Sequence, residues 1–269
     1  RPVGGEYGWD IGTAGSTTML VLTLLPVASF ASGPVRFTVR GGLFQDFAPS
    51  AYHMKEVFLP TVGEMGVRAS LEVARPGYVP RGGGIIQVAV SPVRGRLSAL
   101  AREGKWQRAE LRGIALSSHL QERRVSHRMA ERCQQVLRSR DYTAQIELKY
   151  DDTALQAGAA LALWAKTDAG YLLGADRAGA PRRPSEEIGT FVARQLLEDL
   201  ESGATVDRYL ADQLVLYAAL AKGTSRYRVP MVTEHLETNL WLVASLLGAQ
   251  VSLKERTVTV EGIGYEGHH

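Results

Sequence analysis

Residues 205–239 read TVDRYLADQLVLYAALAKGTSRYRVPMVTEHLETN, and the rest of the chain is organised around them. Tyr209, Asp212, Gln213, Leu216, Tyr217 and Leu220 fall at i, i+3, i+4, i+7, i+8 and i+11, which is one face of a helix. The face is polar at its N-terminal end and apolar beyond it. A stripe interrupted by Tyr, Asp and Gln is that of a helix lining something. A short loop over 222–225 and a strand over 226–229 are expected next. Thr233, a good N-cap residue, then opens a second helix with His235, Thr238 and Asn239 in its first turns.

The same order of elements occurs near the start of the chain. Leu20-Val21-Leu22 sits in an expected helix over 17–31, followed by Gly33 and a basic strand over 35–39. Leu214-Val215-Leu216 is likewise followed by Gly223 and the basic Arg226-Tyr227-Arg228. Helix, glycine-bearing loop and strand therefore recur, the mark of an internally repeated α/β unit. Each sheet then needs helices on one face to bury its apolar side. The remaining expectations here are strands over 7–11, 67–73 and 84–90 and a helix over 51–65. The turn Gly12-Thr13-Ala14-Gly15-Ser16 opens the first helix and could hold an anion on its amides. A purely conformational role is favoured, since true phosphate loops are rare, and with no Lys-Ser or Lys-Thr following this is not a Walker A loop.

Between the two copies the texture changes. Residues 97–108 are charged and linker-like, 110–117 read as a strand, and 120–138 as a helix with Val125, Met129, Cys133, Val136 and Leu137 inward. Strands over 144–150, 159–165 and 170–174 follow, and Ser185 is expected to cap a helix running to Glu201. These elements suffice for a small domain over 103–203, inserted in a larger repeat-built domain of 1–102 and 204–266. Arg124, Arg128 and Arg132 lie along one helical face and could touch RNA phosphates; a solvated helix face is the favoured reading.

Composition sets the outer bounds. The 269 residues are 45% hydrophobic and 22% charged, an ordinary globular balance. A net charge of +3 is compatible with an anionic partner without requiring one. The single cysteine, Cys133, rules out an internal disulfide and fits a reducing, cytoplasmic setting. No CxxC or HExxH spacing points to zinc. The longest apolar run, 19–31, is too short to span a bilayer and contains Pro26, and no signal peptide is visible. The chain opens on Arg1 rather than Met, so an upstream segment is expected, and 267–269 read as a tag remnant.

Three stretches together resemble the RNA 3′-terminal phosphate cyclase family: Gly77-Tyr78-Val79-Pro80-Arg81-Gly82-Gly83-Gly84, Tyr209-Leu210-Ala211-Asp212-Gln213, and Thr233-Glu234-His235-Leu236-Glu237-Thr238-Asn239. The Gly12–Ser16 turn and the closing Glu261-Gly262-Ile263-Gly264 are in the same style. The resemblance implies an α/β (α+β) fold of repeated βαβαββ-type units with a smaller, thioredoxin-like insert. It implies ATP-dependent conversion of an RNA 3′-phosphate end to a 2′,3′-cyclic phosphate through a histidine–AMP intermediate, with ATP and Mg2+ or Mn2+ as cofactors. By position, His235 matches the nucleophilic histidine, Tyr209 the residue that stacks on adenine, Pro49 the opposite wall, and Asp212 and Gln213 polar neighbours of the nucleotide. The partners implied are RNA with a 3′-phosphate end and ATP, with no membrane; the oligomeric state stays open, a homodimer included.

Three departures accompany the resemblance. The family's Gly-Glu-Gly-Gly-Gly-Gln run, which binds metal and phosphates, has no counterpart here, so a metal site is expected upstream of Arg1 or is lacking. Leu22 stands where many members have glutamine, and Pro76 precedes the glycine-rich motif where Arg or His is usual. An alternative function is a catalytically inactive cyclase-like protein acting in RNA-particle (ribosome) assembly; such branches lack the nucleophilic histidine, so His235 favours the enzyme. An enolpyruvyl transferase, built from similar units, is a weaker third reading.

Overall fold

The computed structural model describes residues 2–267; Arg1, His268 and His269, part of the expected tag remnant, lie outside them. The first unit runs β1 (Gly5–Asp10), α1 (Thr17–Ser29), β2 (Val35–Gly41), a helical segment, β3 (Arg68–Arg75) and β4 (Gly84–Ser91). The helical segment joins α2 (Ala51–His53) to α3 (Leu59–Glu64) through a π-helical turn, Met54–Phe58. The strands order as β1-β2-β4-β3, with β1 parallel to β2 and the other pairs antiparallel. Strand β2 alternates strictly: Val35, Phe37 and Val39 point to the core and Arg36, Thr38 and Arg40 to solvent, the period-two pattern of a sheet covered on one face.

The next elements are β5 (Ala101–Arg102), β6 (Ala109–Ser118), α4 (Val125–Arg138), β7 (Ala144–Asp151), β8 (Gly158–Thr167), β9 (Leu172–Ala178) and α5 (Ser185–Glu201). They are followed by α6 (Leu210–Gln213), α7 (Val215–Leu220), β10 (Lys222–Arg228), α8 (Glu234–Leu247), β11 (Gln250–Lys254) and β12 (Thr257–Ile263). A second sheet orders as β11-β12-β10-β5, with β5 parallel to β10 and the rest antiparallel. Its wiring repeats the first sheet strand for strand, β5 standing for β1, β10 for β2, β11 for β3 and β12 for β4. The fold is thus α+β and built from repeated βαβαββ units.

The residues between β5 and α6 form a third sheet, ordered β7-β6-β8-β9. Its faces divide by period two. Leu111, Ala115, Leu161 and Leu163 pack under α4 and α5, while Ile114, Leu116, Ala160 and Ala162 belong to the core shared with the two repeats. Strand β8 is accordingly apolar nearly throughout.

Several local expectations change. Residues 222–225, expected as loop, begin β10, because their backbone pairs with 260–263 of β12. The linker-like 97–108 holds β5, and its Arg102 is 1% exposed, ion-paired to Glu64 at 2.6 Å and set over the Tyr171 ring. The helix expected from 120 starts at Val125, with Arg124 at φ 51° as its cap. The helix expected from the 209–220 stripe is broken at Leu214 into α6 and α7. Ser185 is the first helical residue of α5 rather than its cap; Pro184 takes that place, with no side-chain capping bond. The arginine face of α4 docks onto α5. Arg128 makes a two-pronged contact with Glu186 at 2.7 and 2.9 Å, and Arg132 donates to Thr190 at 2.9 Å.

The glycine-rich motif has a clear structural task. Tyr78 shares a hydrogen bond with Ser118 at 2.9 Å, and Gln156 bridges Val79 O at 2.6 Å and Arg81 N at 3.0 Å. A Cβ on Gly83 would run into Leu155, and one on Gly158 into the Tyr78 ring. The motif is therefore the clamp between the first unit and the third sheet. The Gly12–Ser16 turn packs against Gly42 and Gly82, whose missing side chains leave room for the Ala14 and Thr13 backbone, in line with its conformational role.

Candidate functional site

The site is built on two helix starts. Thr233 caps α8, its hydroxyl accepting from Leu236 N at 3.1 Å. Leu236, Leu240 and Val243 are buried and anchor the helix from below. This leaves His235 exposed on the first turn. One turn further on, Asn239 donates from its amide to Asp212 O at 3.2 Å, joining α8 to α6. Asp212 is half-buried, and desolvation pushes its carboxyl up to about 6, against the pull of the nearby His235.

Beside Asp212 a cleft of about 500 Å³ runs between α1, α6–α7 and α8. Its polar lining is Thr23, Asp212, Gln213, Asn239 and Tyr217; Leu22 contributes to the apolar remainder. Two polar atoms here, Gln213 Oε1 and the Tyr217 hydroxyl, are buried and have no partner among the described residues. Such orphans are costly unless a ligand or water completes them, and the acceptors Gln213 Oε1 and the Asp212 carboxylate suit a group that donates from hydroxyls.

Tyr209 lies one short helix away and is 39% exposed. Its hydroxyl donates to Gln195 Oε1 at 3.2 Å, and its backbone N to Asp207 at 2.9 Å. Pro49 is half-buried, and its carbonyl accepts from Thr18 at the start of α1 at 2.7 Å. The following Ser50 N donates to Asp176 at 2.7 Å. Burial and then the Asp176 charge raise the Tyr209 phenol above its ordinary pKa, so Asp176 is the common neighbour of Tyr209 and the 49–50 segment. The structure thus gathers Tyr209 and Pro49 at one end of α6, and Asp212, Gln213 and His235 at the other. At 1.5 Å per residue the four residues of α6 span about 6 Å.

Sequence reasoning missed His53, Asp176, Asp207 and Gln195. Asp207 carried a usable signal: an aspartate just before a helix, whose Oδ1 accepts from Leu210 N at 2.8 Å. His53, Asp176 and Gln195 had none. Among the described residues no group of three or more His, Cys, Asp and Glu could hold a metal ion. No helix among them is long and apolar enough to cross a membrane.

A family model described as RNA 3′-terminal phosphate cyclase matches residues 1–253. The chain is similar to RNA 3′-terminal phosphate cyclases from Pyrobaculum aerophilum (35% identity, 97% of this chain and 76% of the relative) and Desulfurococcus amylolyticus (35%, 97% and 76%). A third relative of that name, from Korarchaeum cryptofilum, is 34% identical over 99% of this chain and 77% of its own length. Two βαβαββ units, a capped helix presenting His235 and these matches over nearly the whole chain agree: it belongs to the RNA 3′-terminal phosphate cyclase family of enzymes.

Proposed function

We propose that the chain uses ATP to convert an RNA 3′-phosphate into a 2′,3′-cyclic phosphate through an adenylylated His235. The observation that carries this reading is the exposed His235 on a capped helix start, near half-buried Asp212, which lines a cleft with unpartnered polar atoms. Neutral imidazole is a competent nucleophile near neutral pH. Its nitrogen attacks the α-phosphorus of ATP; the N–P bond forms as the bond to the bridging oxygen breaks, and pyrophosphate leaves with that electron pair. Loss of the remaining ring proton gives the phosphoramidate. An oxygen of the RNA 3′-phosphate then attacks the same phosphorus, the N–P bond breaks, and AMP passes to the RNA. The 2′-hydroxyl, losing its proton, attacks the RNA phosphorus and expels AMP, closing the ring.

In this reading Tyr209 stacks on adenine against Pro49, and Asp212 and Gln213 accept from ribose hydroxyls or steady the imidazole. Residues 103–203 act as an insert between the first strand and first helix of the second repeat, and the working compartment is cytoplasmic. The test is ATP labelled on its α-phosphate: covalent label that disappears with His235→Ala supports the reading. A scaffold in RNA-particle assembly would not require an exposed histidine at this position.

A further inference from the structure

Three segments meet around one buried imidazole. His53, at the end of α2, is 2% exposed, and Asp207 is fully buried. Nε2 of His53 lies 3.0 Å from Oδ2 of Asp207. The same Oδ2 accepts from Gly174 N of β9 at 2.8 Å, and Oδ1 accepts from Tyr209 N and Leu210 N at 2.9 and 2.8 Å. One carboxylate therefore ties α2, the third sheet and the start of α6 together. The His53 ring also stands edge-on to the Tyr209 ring, with centroids 6.4 Å apart and planes at 87°. Gln195 on α5 holds the Tyr209 hydroxyl at 3.2 Å.

We propose that His53 and Asp207 are positioning residues that fix the orientation of Tyr209, so that the face of its ring is ready for a nucleobase before one arrives. The inference rests on the reading of Tyr209 as the stacking residue. A ring free to reorient must be ordered on binding, at a cost in affinity; a ring already fixed avoids it. A buried carboxylate is tolerated only when fully partnered. Two of the bonds to Asp207 come from the backbone of Tyr209 and its neighbour, and the imidazole that faces it packs against the Tyr209 ring itself.

The groups facing His53 are Asp207 from the 205–209 segment, Asp176 from β9, Asp212 from α6 and the Tyr209 phenol. Burial opposes the charged ring, yet the charge and hydrogen bond of Asp207, with Asp176 and Asp212 behind it, hold the His53 pKa above its ordinary value. The charged pair is therefore complete between the lowered Asp207 value and the raised His53 value. It weakens as pH rises through that raised value.

The experiment takes the full-length protein, with ATP as the probe. His53→Phe keeps a ring but removes the bond to Asp207, and His53→Gln restores a donor. With His53→Phe the Kd for ATP is expected to rise about tenfold or more, while the rate of protein labelling at saturating ATP stays within about twofold. Amide hydrogen exchange at Tyr209 and Leu210 should quicken, with that of β4 unchanged. His53→Gln should return Kd and exchange close to wild type. The wild-type Kd should rise with pH through the imidazole ionisation, and His53→Gln should lose that rise. His53→Phe with wild-type Kd and exchange overturns the inference alone. A wild type that binds no ATP overturns the nucleotide reading and this inference with it, a result distinct from the first.

Discussion

The side-chain amide of Asn239 donates to the backbone carbonyl of Asp212 at 3.2 Å, so the helix that carries His235 is bonded directly to the helix that carries Asp212. The separation of His235 and the Asp212 carboxylate is thus set by helix-to-helix contact rather than by the loop between β10 and α8. A net hydrogen bond contributes about 1 kcal/mol, which is roughly fivefold in a rate. Asn239→Leu should accordingly slow protein labelling by about fivefold, with a thermal midpoint lowered by roughly 2–4 °C. Labelling at the wild-type rate would mean that α8 is positioned by Leu236 and Leu240 alone.

Asp212 should impose a pH limit on the first chemical step. Its carboxyl titrates near 6, raised mainly by desolvation. A raised acid binds its proton more tightly when folded, so its stabilising effect is complete below the unfolded value, 3.8, and is lost as pH rises through about 6. Above that pH the buried charge is a net cost, which Asp212→Asn removes. That variant should therefore be about 1–2 kcal/mol more stable at pH 8, allowing for part exposure. Its labelling should be slower, without the wild-type fall below pH 6. Denaturant melts and rate profiles at several pH values check both halves.

Tyr209 should contribute through its ring face. Stacking on a base is worth about 1–3 kcal/mol, so Tyr209→Ala should weaken ATP binding by about tenfold or more. Tyr209→Phe keeps the face and loses only the 3.2 Å bond to Gln195, so its effect should be within about fivefold. Equal losses in the two variants, measured by calorimetric titration, would point to the hydroxyl instead.

The glycine-rich motif should matter for stability. A Cβ on Gly158 meets the Tyr78 ring, which cannot retreat while its hydroxyl is held by Ser118. Gly158→Ala should cost about 1–3 kcal/mol, the range for overpacking a filled site. Chemical denaturation, with unchanged labelling per folded molecule, is the check.

How much of this was legible depends on where the partners lie. The 3.6 period exposed the polar end of the α6–α7 stripe, and Thr233 announced the helix that presents His235. The recurrence of helix, glycine and strand revealed the repeat, but the first strand of its second copy stayed hidden. Two residues, Ala101 and Arg102, have no period, and a buried arginine balanced by Glu64 and Tyr171 reads as surface. The His53–Asp207 pair spans 154 positions, and no local pattern marks such a contact. The third sheet's second face was likewise invisible: alternation in β6 and β8 is masked because both faces are apolar.

His235 carries the enzyme reading, and its test separates chemistry from binding. Incubated with ATP labelled on the α-phosphate and a divalent cation, the full-length protein should acquire covalent label. The bond should be labile to acid and stable to alkali, because protonation on the nitrogen side makes imidazole a good leaving group. His235→Ala and His235→Asn should both abolish the label, since neither supplies a nucleophilic ring nitrogen. ATP binding should largely survive in both, because Tyr209, Pro49, Asp212 and Gln213 lie on other segments and α8 keeps its Thr233 cap and buried Leu236. Added RNA with a 3′-phosphate should then discharge the wild-type label and yield a cyclic end resistant to phosphatase. Label that persists without His235 would place the nucleophile elsewhere; a wild type that binds ATP yet never labels would leave the scaffold reading in its place.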